Sequence, residues 1–244
     1  MNPIVYKDVE CAIGNCSLIS HIHTYASIDS TMNRAKELAL HGAPEGTIII
    51  AEEQTEGRGR LGRNWYSPKG SLAFSVLLHP DSLKIQYLSM AAAIAVKQAL
   101  QVITNICNVQ LKWPNDILVN GNKISGILVE GGYAQQGQYA VVGIGININA
   151  NLGLSKEIGL PATSICREIG QLVDPLIVLK ECVFNLSRLY IDHDNQNIYD
   201  VWRAELNTIG RSVKAITGNS IIQGIAVDVN EEGALIINSE DGRK

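Results

Sequence analysis

Apolar positions along the 244-residue chain recur with two periods, one helical and one extended. In "STMNRAKELALH" (30–41), Met32, Ala35, Leu38 and Ala39 fall three or four residues apart. Asp29 or Ser30 can cap the start and Gly42 can end it, so a helix is predicted. A second stripe joins Leu88, Ala91, Ala92, Ala95, Val96, Ala99, Leu100 and Ile103. Its many alanines predict a helix packed closely on a sheet. Two more helices are predicted over 175–192 and 196–206.

The other period is two. "TIIIA" (47–51) is a short β-branched run, and "SLAFSVLL" (71–78) puts Leu72, Phe74, Val76 and Leu78 on one face. "VQLKW" (109–113) reads as a strand ended by Pro114. "DILVNGNKISGILVE" (116–130) reads as a hairpin turning at Asn120–Gly121. A polar loop, "GGYAQQG", leads to a further strand, "QYAVVGIGININ" (138–149). Past Arg211 the runs become short and β-like: "SVKAIT", "IIQGIAVDV" and "ALIINS", with turns at "TGN" and "NEEG". Strands from 109 to 149 follow one another without intervening helices, which excludes a doubly wound parallel sheet. The expected fold is α+β: a mixed or antiparallel central sheet with flanking helices over 1–208, then a small SH3-like β domain over 209–244.

Composition narrows the function classes. With a net charge of -4, the chain has no global basic field for DNA or RNA, so any anion site must be a local cluster. Cys11, Cys16, Cys107, Cys166 and Cys182 form no C-x-x-C pair, which predicts reduced thiols in a cytoplasmic protein and no zinc site. The N-terminus carries no basic-then-apolar leader, and no unbroken apolar run approaches the roughly 20 residues of a membrane helix.

The candidate local cluster is "TEGRGRLGRNWYSPKGSL" (55–72). Gly57, Gly59 and Gly62 have dinucleotide-fingerprint spacing, but no helical pattern follows, and no acid occurs between Gly57 and Asp81. The partner motifs of a kinase and the Walker A pattern are also missing. What remains is glycine, which allows close backbone approach, interleaved with Arg58, Arg60 and Arg63. Such a segment is either a solvated basic loop or a lid over a multiply charged anion.

Three further constellations have two readings each. In "KWPND" (112–116), Lys112 ends an apolar strand and is either a snorkelling side chain or a half-buried cation awaiting an anion. Asn115 and Asp116 follow Pro114, exposed for hydrogen bonds or a cation; Lys123, past the hairpin turn, has the position of an ordinary exposed lysine. In "GIGIN" (143–147), Gly143, Gly145 and Asn147 share one face, for close helix packing or for a ligand. "DST" (29–31) with Gln54 offers either a helix cap and a surface amide or neutral partners for a polar heterocycle.

Together, "DST", "AEEQTEGRGRLGRNWYSPKGSL", "LKWPNDILVNGNKISGILVE" and "VVGIGININ" resemble the signature blocks of biotin protein ligases, the biotin–[acetyl-CoA-carboxylase] ligases, from about residue 24 onward. The resemblance implies a biotin/lipoate-ligase-like fold related to class II synthetases. It implies that biotin's carboxylate attacks the α-phosphorus of ATP, with Mg2+, to give biotinyl-5′-AMP and pyrophosphate. The adenylate then acylates a lysine of a biotin carboxyl carrier protein. By the same resemblance, Ser30, Thr31, Met32, Gln54, Gly57, Gly59, Gly126, Gly143 and Gly145 line the biotin site. Arg58, Arg60 and Lys112 serve both biotin and phosphate and carry the catalysis; Lys112 bridges carboxylate and phosphate. Arg63, Trp65, Asn115 and Asn147 lie on the ATP side, and Asp116 is the candidate metal ligand. Only about two dozen residues precede the blocks, so a ligase without a repressor domain, and hence without DNA binding, is expected, and the lack of a long apolar run adds that no membrane attachment is expected. Relatives are monomers or dimers. Met32 stands where relatives often have a polar residue, and the family's C-terminal barrel usually continues past the point where "SEDGRK" ends this chain. The competing readings are a lipoate or octanoate ligase of the same superfamily and a nucleic-acid module built on the arginine loop.

Overall fold

Seven strands make the central sheet: β1 (His21–Ile28), β2 (Thr47–Gln54), β3 (Ser71–Leu78), β4 (Val109–Lys112), β5 (Asp116–Val119), β6 (Asn122–Ala134) and β7 (Gly137–Asn147). Their order is β1-β2-β3-β7-β6-β5-β4. β1 and β2 are parallel and every other neighbouring pair is antiparallel, so the sheet is mixed, as the pattern of the chain implies. The computed structural model describes residues 4–80, 85–106, 108–151, 161–192, 195–217 and 220–239. Cys107, Asp81, most of the "TGN" turn and nearly all of "SEDGRK" lie outside these residues.

The helices are α1 (Tyr6–Ile13), α2 (Thr31–Leu40), α3 (Ile85–Thr104), α4 (Ile165–Ile169), α5 (Pro175–Ile191) and α6 (Asn195–Ala204). Alternation along each strand sends its side chains to two different layers. Leu72, Phe74, Val76 and Leu78 of β3, with Val142, Ile144 and Ile146 of β7, face the alanine-rich stripe of α3, behind which α5 and α6 pack. Small side chains on α3 bring its backbone close to the sheet. Among the described residues α3 is also the helix long and apolar enough to cross a membrane, yet it is the central core helix, interrupted by a buried Lys97 that pairs with Glu205 of the α6 end.

On the opposite face α2 covers a limited area. Met32, Ala35 and Ala39 pack on Ile49, Leu77 and Val141. The part of this face left beyond α2 is a shallow trough.

Two sequence expectations need correction here. The "GGYAQQG" segment is mostly ladder: Gly131 to Ala134 pair with Ala140 to Gly137, leaving only Gln135 and Gln136 at the turn. Those glycines belong to a strand because aromatic and aliphatic groups lie on them; a Cβ on Gly132 would sit 2.5 Å from the Tyr139 hydroxyl, and one on Gly131 3.0 Å from Ile85. Strand β1 also went unforeseen. It is a half-exposed edge strand, "HIHTYASI", whose polar alternation is weak and whose partner is parallel and non-local.

The C-terminal strands β8 (Ser212–Thr217), β9 (Ser220–Val229) and β10 (Leu235–Ser239) form a separate antiparallel sheet in the order β10-β9-β8. It is fastened to the body by directed polar contacts. The Trp113 indole donates to Gly233 O at 2.8 Å, Tyr199 OH donates to Val229 O at 2.7 Å, and Arg203 grips Asp228 through two contacts of 2.5 and 2.7 Å.

Candidate active site

A single register line crosses all seven strands: Tyr25, Ala51, Ala73, Gly145, Gly126, Asp116 and Lys112 are successive partners. Paired residues point to the same face, so the middle of this line has almost no side chains. One step along β3 and β7 lie Ser75 and Gly143, and one step the other way Ser71 and Asn147. The floor of the trough is therefore built of Gly, Ala and Ser, flanked by the charged pair at the β4–β5 edge. That is the space a ligand requires. Where the sequence left packing and ligand binding both open for "GIGIN", the two glycines divide the roles. A Cβ on Gly143 would lie 2.3 Å from Met32 Sδ, which is helix packing. A Cβ on Gly145 would lie 2.4 to 2.8 Å from the Trp65 ring, which is contact with the glycine–arginine loop.

One end of the trough is a polar relay. Ser75 Oγ donates to Thr31 Oγ1 at 2.8 Å, and Thr31 gives its hydroxyl (3.1 Å) and backbone N–H (2.9 Å) to Gln54 Oε1. Gln54 is thus a fixed acceptor with its amide nitrogen left to donate. Ser30 is the N-cap residue by position, but its buried hydroxyl makes no capping hydrogen bond. Nearby, Asn33 donates to Asp29 at 2.7 Å, and this bond holds the Asp29 carboxyl below the usual range, with Arg58 adding a smaller pull.

The glycine–arginine segment is anchored at both shoulders. Glu56 N–H donates to Asp29 O and Trp65 N–H to Gly57 O, both at 2.8 Å, and Gln54 pairs with Ser67. Gly57 is required for close approach, since a Cβ there would lie 2.4 Å from Trp65 O. Arg58 reaches over to β6 and donates to Glu130 at 2.9 Å; Glu130 also receives Lys36 of α2. The tip, with Arg60, Leu61 (83% exposed) and Arg63, stands in solvent. Left-handed backbone occurs at Leu61 (φ 56°) and Gly62 (φ 71°), not at Gly57 or Gly59.

The "KWPND" block departs from its expected form. Asn115 is tied to β6: its side-chain nitrogen donates to Ile127 O at 2.5 Å and its main-chain carbonyl accepts from Ile127 N–H at 3.0 Å. Asp116 is half-buried and pairs with Lys123 at 2.5 Å. Lys123, expected to be exposed, instead lies over the Trp65 ring at 5.4 Å and near the open face of Gly126. A bulge explains this. Ile117 pairs with Ser125 but Leu118 with Lys123, so Ile124 is the extra residue that re-aims Lys123 onto the floor face. Lys112 is half-buried at the strand end, and among the described residues it has no ion pair.

Buried polar atoms without partners gather at the same place. They are Ser30 Oγ, Arg58 Nε, Trp65 Nε1, Ser67 Oγ, Ser71 Oγ and Asn147 Oδ1; Ser125 Oγ belongs to the opposite, core-facing row. Buried groups of this kind are normally satisfied. Six around one trough mark donors and acceptors reserved for a ligand with several polar atoms. Asn147 spends its amide nitrogen on Thr163 O at 3.1 Å, which aims the oxygen. No group of three or more His, Cys, Asp or Glu side chains able to hold a metal occurs among the described residues, so Asp116 is at most one ligand alongside substrate phosphates.

Such a trough, walled by a cationic loop and floored by glycine, suits an enzyme that joins a small polar acid to a nucleotide. The biotin/lipoate A/B protein ligase family model matches residues 24–147, and the biotin protein ligase C-terminal domain model matches residues 208–244. The biotin--[acetyl-CoA-carboxylase] ligase of Paracoccus denitrificans is 34% identical, the match covering 90% of this chain and 95% of that one. The bifunctional ligase/repressor BirA of Bacillus spizizenii is 36% identical over 89% of this chain and 69% of its own length. Among solved structures, the Aquifex aeolicus biotin protein ligase in complex with biotin and ATP aligns with a TM-score of 0.75 at 34% identity, covering 93% of this chain and 95% of that one. The chain belongs to the biotin/lipoate A/B protein ligase family, within its biotin protein ligase branch.

Proposed function

We infer that the protein activates biotin with ATP and transfers it to a lysine of a biotin carrier protein. The observation that carries this reading is the ring of unpartnered polar atoms around a glycine floor, with the Lys123–Asp116 pair at one end and the Thr31–Gln54 relay at the other. The relay and Ser30 take the polar head group; Gly126 and Gly145 admit the Trp65 ring, along which the valeryl chain runs; Gly57 and Gly59 give the loop its close approach. Met32 acts through packing and its main chain, because its side chain is seated on Gly143.

In the first step a biotin carboxylate oxygen bonds to the α-phosphorus, and the bond from that phosphorus to the bridging oxygen breaks, releasing pyrophosphate. This brings like charges together at a cost of about 4 kcal/mol per unit pair at 4 Å with an effective dielectric near 20. Lys123, placed over the floor, bridges carboxylate and phosphate; Lys112 supplies a second cation from the end of the same register line. Arg58, Arg60 and Arg63 gather the phosphates, Trp65 and Asn147 flank the nucleotide, and Asn115 holds the turn in place. Mg2+ accompanying ATP would take Asp116 as its protein ligand and supply further charge screening. In the second step the neutral carrier amine attacks the acyl carbon, AMP leaves with the bond electrons, and the amine proton is released. The loop tip shields the mixed anhydride from water. The need for ATP supports a cytoplasmic setting for this reading, and a homodimer, if formed, would have β1 at the sheet edge as one surface for pairing.

Pyrophosphate release with ATP plus biotin, compared with ATP plus lipoate or octanoate, tests this. Release with biotin is expected; release with lipoate or octanoate alone would reassign the substrate.

A further inference from the structure

We propose that Glu168, outside the trough, is a positioning residue that sets the nucleotide end of the site by holding Lys123 and Asn147 through one segment of chain. Residues 161–163 run alongside the start of β6. Lys123 N–H donates to Pro161 O at 2.8 Å and Thr163 N–H to Lys123 O at 2.9 Å, so the Lys123 backbone is clamped from both sides by this segment. The Thr163 carbonyl accepts from Asn147 Nδ2 at 3.1 Å. One residue therefore touches the two groups that flank the phosphate side.

Glu168 of α4 ties the clamp to the hairpin. One carboxylate oxygen receives the hydroxyl of the buried Thr163, and the other receives Asn120 Nδ2 at 2.7 Å. Asn120 is in the left-handed region (φ 51°) at the turn that delivers Lys123. A carboxylate accepts at both oxygens at once, which a neutral side chain of the same shape does less well. Glu168 has no contact with the Thr31–Gln54 relay, so its influence is confined to one end of the trough.

This inference rests on the biotin-adenylation reading. It predicts that Glu168→Ala raises the KM for ATP and lowers kcat in pyrophosphate release by roughly tenfold or more, as for loss of an ordered transition-state group. Biotin binding without nucleotide, measured by calorimetry, should weaken less than the KM for ATP rises, since Lys123 meets the biotin carboxylate but the Thr31–Gln54 relay is untouched, and Glu168→Gln should lie between Ala and wild type. An Ala variant with unchanged KM for ATP and kcat overturns the proposal. So does one that loses biotin affinity in parallel, because the effect would then be general unfolding of the site. Thr163→Val, which keeps the backbone clamp and removes one link, should reproduce the same split more weakly; a loss confined to biotin would count against it. A wild-type protein silent with biotin and ATP fails the adenylation reading itself, and this proposal with it.

Discussion

Replacing Lys123 by Met tests whether the bridging role that the sequence resemblance assigns to Lys112 belongs to Lys123. Met keeps length and apolar contact with Trp65 but removes the charge. The lost attraction between the ammonium and one reacting anion is about 4 kcal/mol at 4 Å with an effective dielectric near 20. Converted to rate, that is on the order of a thousandfold in adenylation. A second effect runs through Asp116. Its side chain is 12% exposed and would lose the cation it pairs with, at a cost near 1–2 kcal/mol because Lys123 is 22% exposed and partly screened. Double replacement with Asp116→Asn should restore stability without restoring rate. The assay is single-turnover formation of biotinyl-5′-AMP, with thermal melting alongside. Lys112→Ala, two strand spacings or about 10 Å from Gly126, should cost less than Lys123→Met. The reasoning is refuted if Lys123→Met adenylates within about threefold of wild type while remaining folded.

Other consequences follow from the same geometry. Gly145→Ala should displace the Trp65 ring, destabilise the fold by about 1–3 kcal/mol and raise the KM for ATP; an unchanged Trp65 fluorescence spectrum would contradict it. Amide exchange should be faster at 60–62 than at 54–56, whose N–H groups are bonded to Ser67, Ile28 and Asp29, and biotin with ATP should slow the tip; uniform exchange across 54–67 would oppose this. The Arg203 guanidinium, with help from the Val229 N–H, holds the Asp228 carboxyl below its usual range. Its contribution to stability is therefore present above about pH 4 and lost as pH falls through the lowered folded-state value. Asp228→Asn should flatten that acid limb of the melting curve, and an identical limb would argue against the contact.

How much of this was legible beforehand depends on distance along the chain. The stripes that made α2, α3 and α5, and the alternation in β3 and β7, are local signals and survive intact. The Asn120–Gly121 turn was legible for the same reason: both residues have positive φ, at 51° and 80°, as a two-residue hairpin turn requires. The relay between Thr31 and Gln54 could be listed as residues but not as a contact, because 23 positions separate them. Lys123 was misjudged for a subtler reason. Simple alternation from Gly126 puts it on the core-facing side, and one bulged residue reverses that. Glu130 and Glu168 gave no signal at all; each acquires meaning only through partners brought by other strands. The composition of the arginine loop leaves a solvated loop and a lid both open, and it does not reveal the backbone hydrogen bonds that fasten its shoulders.

The central claim is that the trough makes and shelters an acyl-adenylate of biotin. Incubating the protein with ATP, Mg2+ and biotin, without any carrier, and examining the bound small molecules by mass spectrometry tests it most directly. The account predicts biotinyl-5′-AMP retained at one equivalent per chain and pyrophosphate in solution. Unchanged biotin and ATP, or an adenylate formed only with lipoate or octanoate, would contradict it.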